Sequence, residues 1–317
     1  MTKHAFDKLT AITTTTKKQH SPLSILADKS KGRSFLDFWN DILVKPEGIH
    51  GPSKLHPFQQ KLIQDLQTYR RVAVLASRNM GKSEIALRYG LWLTLSKQTP
   101  GNYIFISGVG YQLSRSLCRR AKAMLEPLNV YSDDNSTTLN FAPLKIRWSF
   151  YGSDSKGWRG QNNVVYLVCD EAAHFDDSQD WRAVCDTYAI KDSGATIFII
   201  TTPSASVDSI AHRLFKEDDT NSLYKHVFLN YRQGVGMMYR PEDIELLKKT
   251  SESFPVEYDL QWGYSYEGAV FHESDIKHAI ELGKQYNPLA DHNPANVTSM
   301  AIDFGFGSSP SGICISQ

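Results

Sequence analysis

Apolar residues first take a helical spacing at Phe35, Phe38, Trp39, Ile42 and Leu43, the i, i+3, i+4, i+7, i+8 pattern of one buried helix face. Pro46, Gly48, Gly51 and Pro52 then break it. Upstream, residues 1–33 are rich in Thr, Lys and Ser and poor in large apolar side chains, which predicts a mobile tail. From Arg71 the rhythm changes to short apolar runs separated by helical stretches. RVAVLAS (71–77) reads as a buried strand and KSEIALRYGLWLTLS (82–96) as a helix. NYIFISG (102–108) is a second strand, followed by a helix from Tyr111 to Glu126. VVYLVCD (164–170) and ATIFIITT (195–202) are two more runs of strand length. Apolar on both faces and alternating with helices, these strands predict an α/β fold with a mostly parallel sheet covered on both sides.

After Ser204 the pattern loosens. YKHVFLNY (224–231) reads as a strand, PEDIELLKKTS (241–251) as a helix with proline at its first position, and FPVEYDLQWG (254–263) as a further short helix. Residues 268–295, with their Gly, Asn, Pro and His, look like a connection between domains. The segment 296–317 holds two short apolar strands around a Gly/Ser/Pro turn, a hairpin signal. The expected organisation is a tail (1–33), one main domain (34–267), a linker (268–295) and the start of a second domain (296–317).

Composition changes this picture little. With 35 Lys and Arg against 34 Asp and Glu, a formal charge of +1 neither supports nor excludes a nucleic-acid partner. Cys118, Cys169, Cys185 and Cys314 are scattered without a C-x-x-C pair, which suits incidental thiols in a reducing compartment. The N-terminus has no apolar signal-like run, and no segment approaches the ~20 apolar residues of a membrane span. A soluble intracellular protein is expected.

The chemistry sits at the ends of the predicted strands. ASRNMGKS (76–83) lies between a strand and a helix. A phosphate-binding loop needs backbone N–H groups aimed at phosphate oxygens, a lysine reaching the β/γ-phosphates and a hydroxyl on Mg²⁺; Gly81, Lys82 and Ser83 supply these. Ala76 departs from the usual leading glycine. The strand VVYLVCD ends in Asp170-Glu171, one carboxylate for Mg²⁺ beside the loop hydroxyl and one to activate a water. Thr201 and Thr202 end the next strand, where open α/β sheets place their ligands. Two motifs on the expected strand ends of one α/β pattern predict an ATP-hydrolysing site with ATP and Mg²⁺ as cofactors.

These residues resemble the large terminase subunit family, the DNA-packaging motors of tailed bacteriophages and related viruses. Ser77-Arg78-Asn79-Met80-Gly81-Lys82-Ser83 is similar to the family's variant loop without a leading glycine. LHPFQ (55–59) resembles its adenine-contacting segment, with Gln59 in the place of the base reader. Arg159-Gly160 matches a pair that precedes the acid-tipped strand, and Thr201-Thr202-Pro203 resembles a coupling motif. FPVEYDLQWGYSYEGAVF (254–271) is similar to the lead-in to a ribonuclease-H-like nuclease, and AIDFGFG (301–307) to that domain's first strand. Asp303 stands in the place of its first metal-binding carboxylate. The resemblance implies a P-loop domain of the RecA/ASCE type and a ring of subunits at a viral portal. It further implies double-stranded DNA as cargo, a small subunit as partner, and work in the host cytoplasm, transiently at the procapsid. Only fourteen residues follow Asp303. An incomplete nuclease without DNA-cleaving activity is therefore expected.

Weaker features stay open. Arg78 in the loop is expected to contact phosphates in cis. Arg159 is either an arginine finger for a neighbouring subunit or half of an intrachain salt bridge. Arg115, Arg119 and Lys122 share one basic helix face, with Arg120 beside them, either solvated or in touch with DNA phosphates. A helicase or translocase without a packaging role would need a second RecA-like domain, for which residues 205–317 are too short. A non-catalytic ATP-binding scaffold has no use for Glu171.

Overall fold

The computed structural model describes residues 22–41, 55–126, 136–153, 156–175, 181–190, 194–204, 209–217, 220–263, 273–285, 299–303 and 312–316. The chain divides into two units, Met1–Tyr264 and Ser265–Gln317.

The first unit is built on seven strands: β1 (Arg71–Ala76), β2 (Gly101–Ser107), β3 (Thr138–Phe141), β4 (Ile146–Gly152), β5 (Val164–Asp170), β6 (Thr196–Thr201) and β7 (Lys225–Leu229). Their order across the sheet is β3-β4-β2-β5-β6-β1-β7. All pairings are parallel except β3 with β4. β3 and β4 lie in a stretch that the apolar pattern left unassigned, because Arg147 and the short TLNF segment interrupt it.

Successive strand residues point to opposite faces, so a strand buried on both sides must be apolar throughout. Val72 and Val74 of β1, Phe105 of β2, Val168 of β5 and Phe198 of β6 feed one core. Ala73, Leu75, Ile104, Ile106, Leu167, Ile197 and Ile199 feed the other. The first core is closed by α1 (Pro22–Ser30), α2 (Phe35–Asp41), α3 (Pro57–Tyr69), α4 (Lys82–Trp92) and α5 (Gly110–Leu125). The second is closed by α6 (Trp181–Ile190) and α7 (Ile210–Lys216). A third cluster, Tyr231, Ile244, Phe254 and Tyr258, joins the turn after β7 to α8 (Pro241–Thr250) and α9 (Phe254–Glu257).

Two expectations need correction. The tail does not extend to residue 33: α1 packs on the turn Leu93–Lys97, burying Leu23, Ala27 and Ser30. Gln98 Nε2 donates to the Ala27 carbonyl at 2.8 Å and Gly32 N to the Ser96 carbonyl at 3.0 Å. Leu23, the partly buried Leu26 and the small Ala27 and Ser30, at i, i+3, i+4 and i+7, make this face, too few large apolar side chains to stand out in a segment rich in Thr, Lys and Ser. Residues 1–21 of the tail lie outside the described residues. The expected linker 268–295 contains a helix, α10 (Glu273–Gln285). Polar Lys, His and Glu residues share its sequence with the apolar ones, and they hid its period among the flanking Asn and Pro. In the second unit β8 (Ser299–Asp303) pairs antiparallel with β9 (Gly312–Ser316), the expected hairpin; its turn lies outside the described residues. Among the described residues no helix is long and apolar enough to cross a membrane.

Candidate functional site

The carboxyl ends of β1, β6 and β5 lie side by side. Leu75 of β1 is in register with Thr201 of β6, and Ile200 of β6 with Asp170 of β5. The loop after Ala76, the paired acids and the two threonines therefore converge, with β6 between the two motif-bearing strands.

The loop turns sharply because two of its residues are left-handed, Asn79 at φ 61° and Gly81 at φ 79°. Alternating handedness turns successive N–H groups to one side, an arrangement suited to an anion. α4 then starts at Lys82 and presents its first-turn N–H groups. The positive φ of Gly81 favours glycine, and a Cβ there would also sit 2.9 Å from Gln59 Nε2, so that side chain would have to shift.

Lys82 is buried. Its Nζ donates to Thr202 Oγ1 at 2.7 Å and to the Ala76 carbonyl at 3.4 Å. Burial lowers its pKa, while Glu171 and Asp170 pull it back up. Asp170 is 2% exposed, and burial with Glu171 beside it raises its carboxyl to about 6. A hydrogen bond with Ser83 and the charges of Lys82 and Arg120 oppose that rise. Asp170 Oδ1 also accepts from Glu171 N at 3.1 Å.

Glu171 adopts a left-handed backbone, φ 53°, as the cap of a one-turn helix, Ala172–His174. Such a conformation costs a non-glycine residue about 1–3 kcal/mol and persists only where neighbours enforce it. Thr201 does so, accepting from Ala173 N at 2.9 Å while donating to the Thr202 carbonyl at 2.8 Å. Gly108 does so from the other side: its N–H donates to the Asp170 carbonyl at 2.8 Å. A Cβ added at Gly108 would lie 2.0 Å from the Glu171 carbonyl oxygen. The two threonines thus divide their work. Thr202 meets Lys82, and Thr201 holds the turn that carries Glu171.

The remaining expected residues sit differently. Gln59 lies against the loop: Nε2 donates to the Met80 carbonyl at 3.4 Å and reaches Met238 Sδ at 4.0 Å, and Oε1 accepts from His56 N at 3.1 Å. Met80 is fully buried in the first core. Ser77 is also fully buried, with its hydroxyl donating to the Tyr258 carbonyl at 2.6 Å and accepting from Tyr231 N at 2.8 Å. That hydroxyl is committed to the fold. Arg78 extends from the loop to an ion pair with Glu257 at 2.9 Å. Arg159 stacks on the buried Trp158 ring at 5.7 Å. On the basic helix face, Arg120 pairs with Glu84 at 3.1 Å and Arg115 lies 5.7 Å over the Tyr111 ring. Asp303 ends β8 in the second unit.

The sequence reading missed Glu257, Tyr239 and Gly108. Tyr239 donates its hydroxyl to the Arg78 carbonyl, and Arg78 N donates to the Glu257 carbonyl at 2.8 Å. Nothing local marks Glu257 and Tyr239, which lie far along the chain from the loop. Gly108, just past a strand end, carried a readable signal. Among the described residues no cluster of three or more His, Cys, Asp or Glu could hold a metal. What the site offers a cation is one carboxylate and one hydroxyl, Asp170 and Ser83. That set suits Mg²⁺, which keeps waters and phosphate oxygens as its other ligands.

Comparison with known proteins adds the following. The profile of a family described as "Terminase large subunit, T4likevirus-type, N-terminal" matches residues 73–288. No relative was found among curated protein sequences. Among solved structures, the large terminase of bacteriophage HK97 superposes with a TM-score of 0.57 at 14% identity, covering 72% of this chain and 54% of that one. The large terminase ATPase domain of Thermus phage P74-26 gives 0.51 at 17% identity, over 66% and 94%. The large terminase of a thermophilic bacteriophage, in complex with ADP, gives 0.50 at 13% identity, over 66% and 54%. The match thus spans about half the length of the HK97 protein and of the ADP-bound one, and nearly all of the P74-26 domain.

Proposed function

The chain belongs to the large terminase family, and from that membership we propose that its first unit hydrolyses ATP to drive double-stranded viral DNA into a procapsid. The observation that carries the ATPase reading is the convergence of Lys82, Thr202, Asp170 and Glu171 at the ends of three adjacent strands. The ADP complex of the thermophilic phage's large terminase adds support by analogy of fold.

In this reading the loop N–H groups and Lys82 bind the β/γ-phosphates. Lys82 is already desolvated and Thr202 orients it, so little reorganisation stands between the resting site and the phosphate-bound one. Gln59 contacts the base, and Arg78 adds charge at the phosphates. Ser83 and Asp170 would hold Mg²⁺, which when bound supplies charge neutralisation for the transferring phosphoryl group. A dry, buried carboxylate whose pKa is pushed up gains most from a cation beside it. Glu171, fixed by Thr201 and Gly108, orients the attacking water and takes its proton. Thr202 lies one residue from that support, which suits the threonine pair to sensing the γ-phosphate. Arg159 is assigned to a neighbouring subunit's phosphates in a homo-oligomeric ring. Portal protein, small subunit and DNA are the partners that membership brings. Asp303 is assigned to the first metal-binding position of a nuclease domain.

Steady-state phosphate release tests the proposal. Wild type releases phosphate; Glu171→Gln still binds ATP but its turnover falls at least ~100-fold; Lys82→Ala loses binding. Equal ATP affinity in wild type and Lys82→Ala, measured by calorimetry, would remove the P-loop assignment.

A further inference from the structure

The last residue of β2, Ser107, is fully buried, and its hydroxyl has no hydrogen-bond partner among the described residues. A hydroxyl taken out of water without a partner costs free energy that alanine would not, and buried polar groups nearly always have one. Its surroundings are therefore informative. Ser107 is in register with Asp170 of β5 on one side and with Gly152 of β4 on the other. Alternate strand residues share a face. Tyr103 and Phe105 of β2, like Tyr166 and Val168 of β5, point into the first core, which α4 helps to close. Ile104, Ile106, Leu167 and Cys169 point into the second. By the same alternation Ser107 and Asp170 stand side by side on the α4 face, on strands about 4.8 Å apart. Gly152 offers no side chain, so Asp170 is the polar side chain beside Ser107 in the sheet.

The backbone around Ser107 is fixed: its carbonyl accepts from Ser153 N at 2.9 Å, and Gly108 N donates to the Asp170 carbonyl at 2.8 Å. What can still turn is the hydroxyl, by a change of χ1 rotamer. Asp170 accepts from Glu171 N and shares a hydrogen bond with Ser83. A carboxylate has room for about four such bonds, and an ionised one accepts more strongly than a neutral group.

We propose that Ser107 is a positioning residue for the cation site: its hydroxyl donates to the Asp170 carboxylate when nucleotide and Mg²⁺ are bound and holds it toward the cation. This rests on the ATP-site reading above and deepens it. Ser107 touches neither nucleotide nor cation. β2 borders β5 on the side away from β6 and β1, so the bond reaches the carboxylate from the side opposite the loop.

The test is calorimetric affinity for ATP-γ-S, measured with saturating Mg²⁺ and again in EDTA, in wild type, Ser107→Ala, Ser107→Cys and Ser30→Ala. The ratio of the two affinities is the gain due to the cation. Ser107→Ala binds in EDTA within about twofold of wild type, but its cation gain is about tenfold smaller, the loss expected when the support of a metal ligand is removed. Its melting temperature without ligands is unchanged or higher, because an unpartnered buried hydroxyl is gone. Ser107→Cys fills the same space with a weaker donor and repeats the result, which separates the lost hydrogen bond from lost packing. Ser30 on α1 has an equally buried hydroxyl, also without a partner among the described residues, and Ser30→Ala keeps the full gain. A full cation gain in folded Ser107→Ala or Ser107→Cys overturns the inference while the ATP reading stands. Equal losses with and without Mg²⁺ overturn it too, since Ser107 would then shape the nucleotide pocket, and so does a reduced gain in Ser30→Ala. Wild type that binds but gains nothing from Mg²⁺ removes the cation from the site and the inference with it. Wild type that does not bind at all overturns the ATP reading as well.

Discussion

Replacing Ser77 by alanine separates residues that build the loop from residues that bind its ligand. The hydroxyl is fully buried and bridges two main-chain groups, the Tyr258 carbonyl and Tyr231 N, at 2.6 and 2.8 Å. Alanine fits the space but leaves both groups without that partner. Each buried unsatisfied group costs about 1–3 kcal/mol. Allowing for partial relaxation, the loss of stability is about 2–4 kcal/mol. For a domain near 250 residues each kcal/mol is worth about 2–4 °C, so the melting temperature falls by roughly 5–12 °C. Ser77 N still donates to the Leu229 carbonyl at 2.9 Å, which keeps the loop's entry in place. Nucleotide affinity of the folded fraction, measured by calorimetry well below the transition, therefore stays within about threefold. Lys82→Ala gives the opposite split: affinity is lost, while removing a desolvated charge leaves the melting temperature unchanged or higher. If Ser77→Ala melts like wild type but loses about tenfold or more in ADP affinity, the bridge is not what holds the loop, and Ser77 belongs among the ligand contacts after all.

Other expectations follow from the same geometry. Gly108→Ala puts a Cβ 2.0 Å from the Glu171 carbonyl, so phosphate release drops at least ~10-fold while nucleotide affinity changes little; normal turnover would show that the Glu171 turn is not held from that side. Asp170→Asn raises the stability of the protein in EDTA. The native carboxyl sits at about 6, above its ordinary value near 3.8, so the cost of ionising it is absent below about pH 4, grows between 4 and 6 and is complete above 6. The variant's advantage in melting temperature is accordingly largest at about pH 7.5 and vanishes near pH 4; a gap independent of pH would point to another cause. Activity is low in dilute protein and rises on assembly if Arg159 acts between subunits. Mixing Arg159→Ala with Glu171→Gln subunits then restores turnover, and no recovery at any ratio, with Arg159→Ala alone fully active, makes Arg159 structural.

The chain's local patterns decided the fold class and the chemical inventory. Runs such as VVYLVCD and ATIFIITT had to be doubly buried strands, because a strand apolar at every position has no face to give to water. Gly81-Lys82-Ser83 and Asp170-Glu171 are legible for a similar reason, since their residue types and their places at strand ends are local facts. Strand order is not local. That β6 lies between β1 and β5, setting Thr202 on Lys82 and Thr201 behind Glu171, depends on which strands pair, and long-range packing selects the pairing. Ser77 and Arg78 look alike as loop residues in the sequence. Only the folding of residues 231–258 against the loop turned one hydroxyl into a buried bridge and gave the neighbouring guanidinium a carboxylate partner. The helix α1 makes the same point: Ala27 and Ser30, which share its buried face with Leu23 and the partly buried Leu26, are too small to announce a core on their own. They become part of one because the turn after α4 offers a surface, and burial there offsets the entropy of ordering the segment.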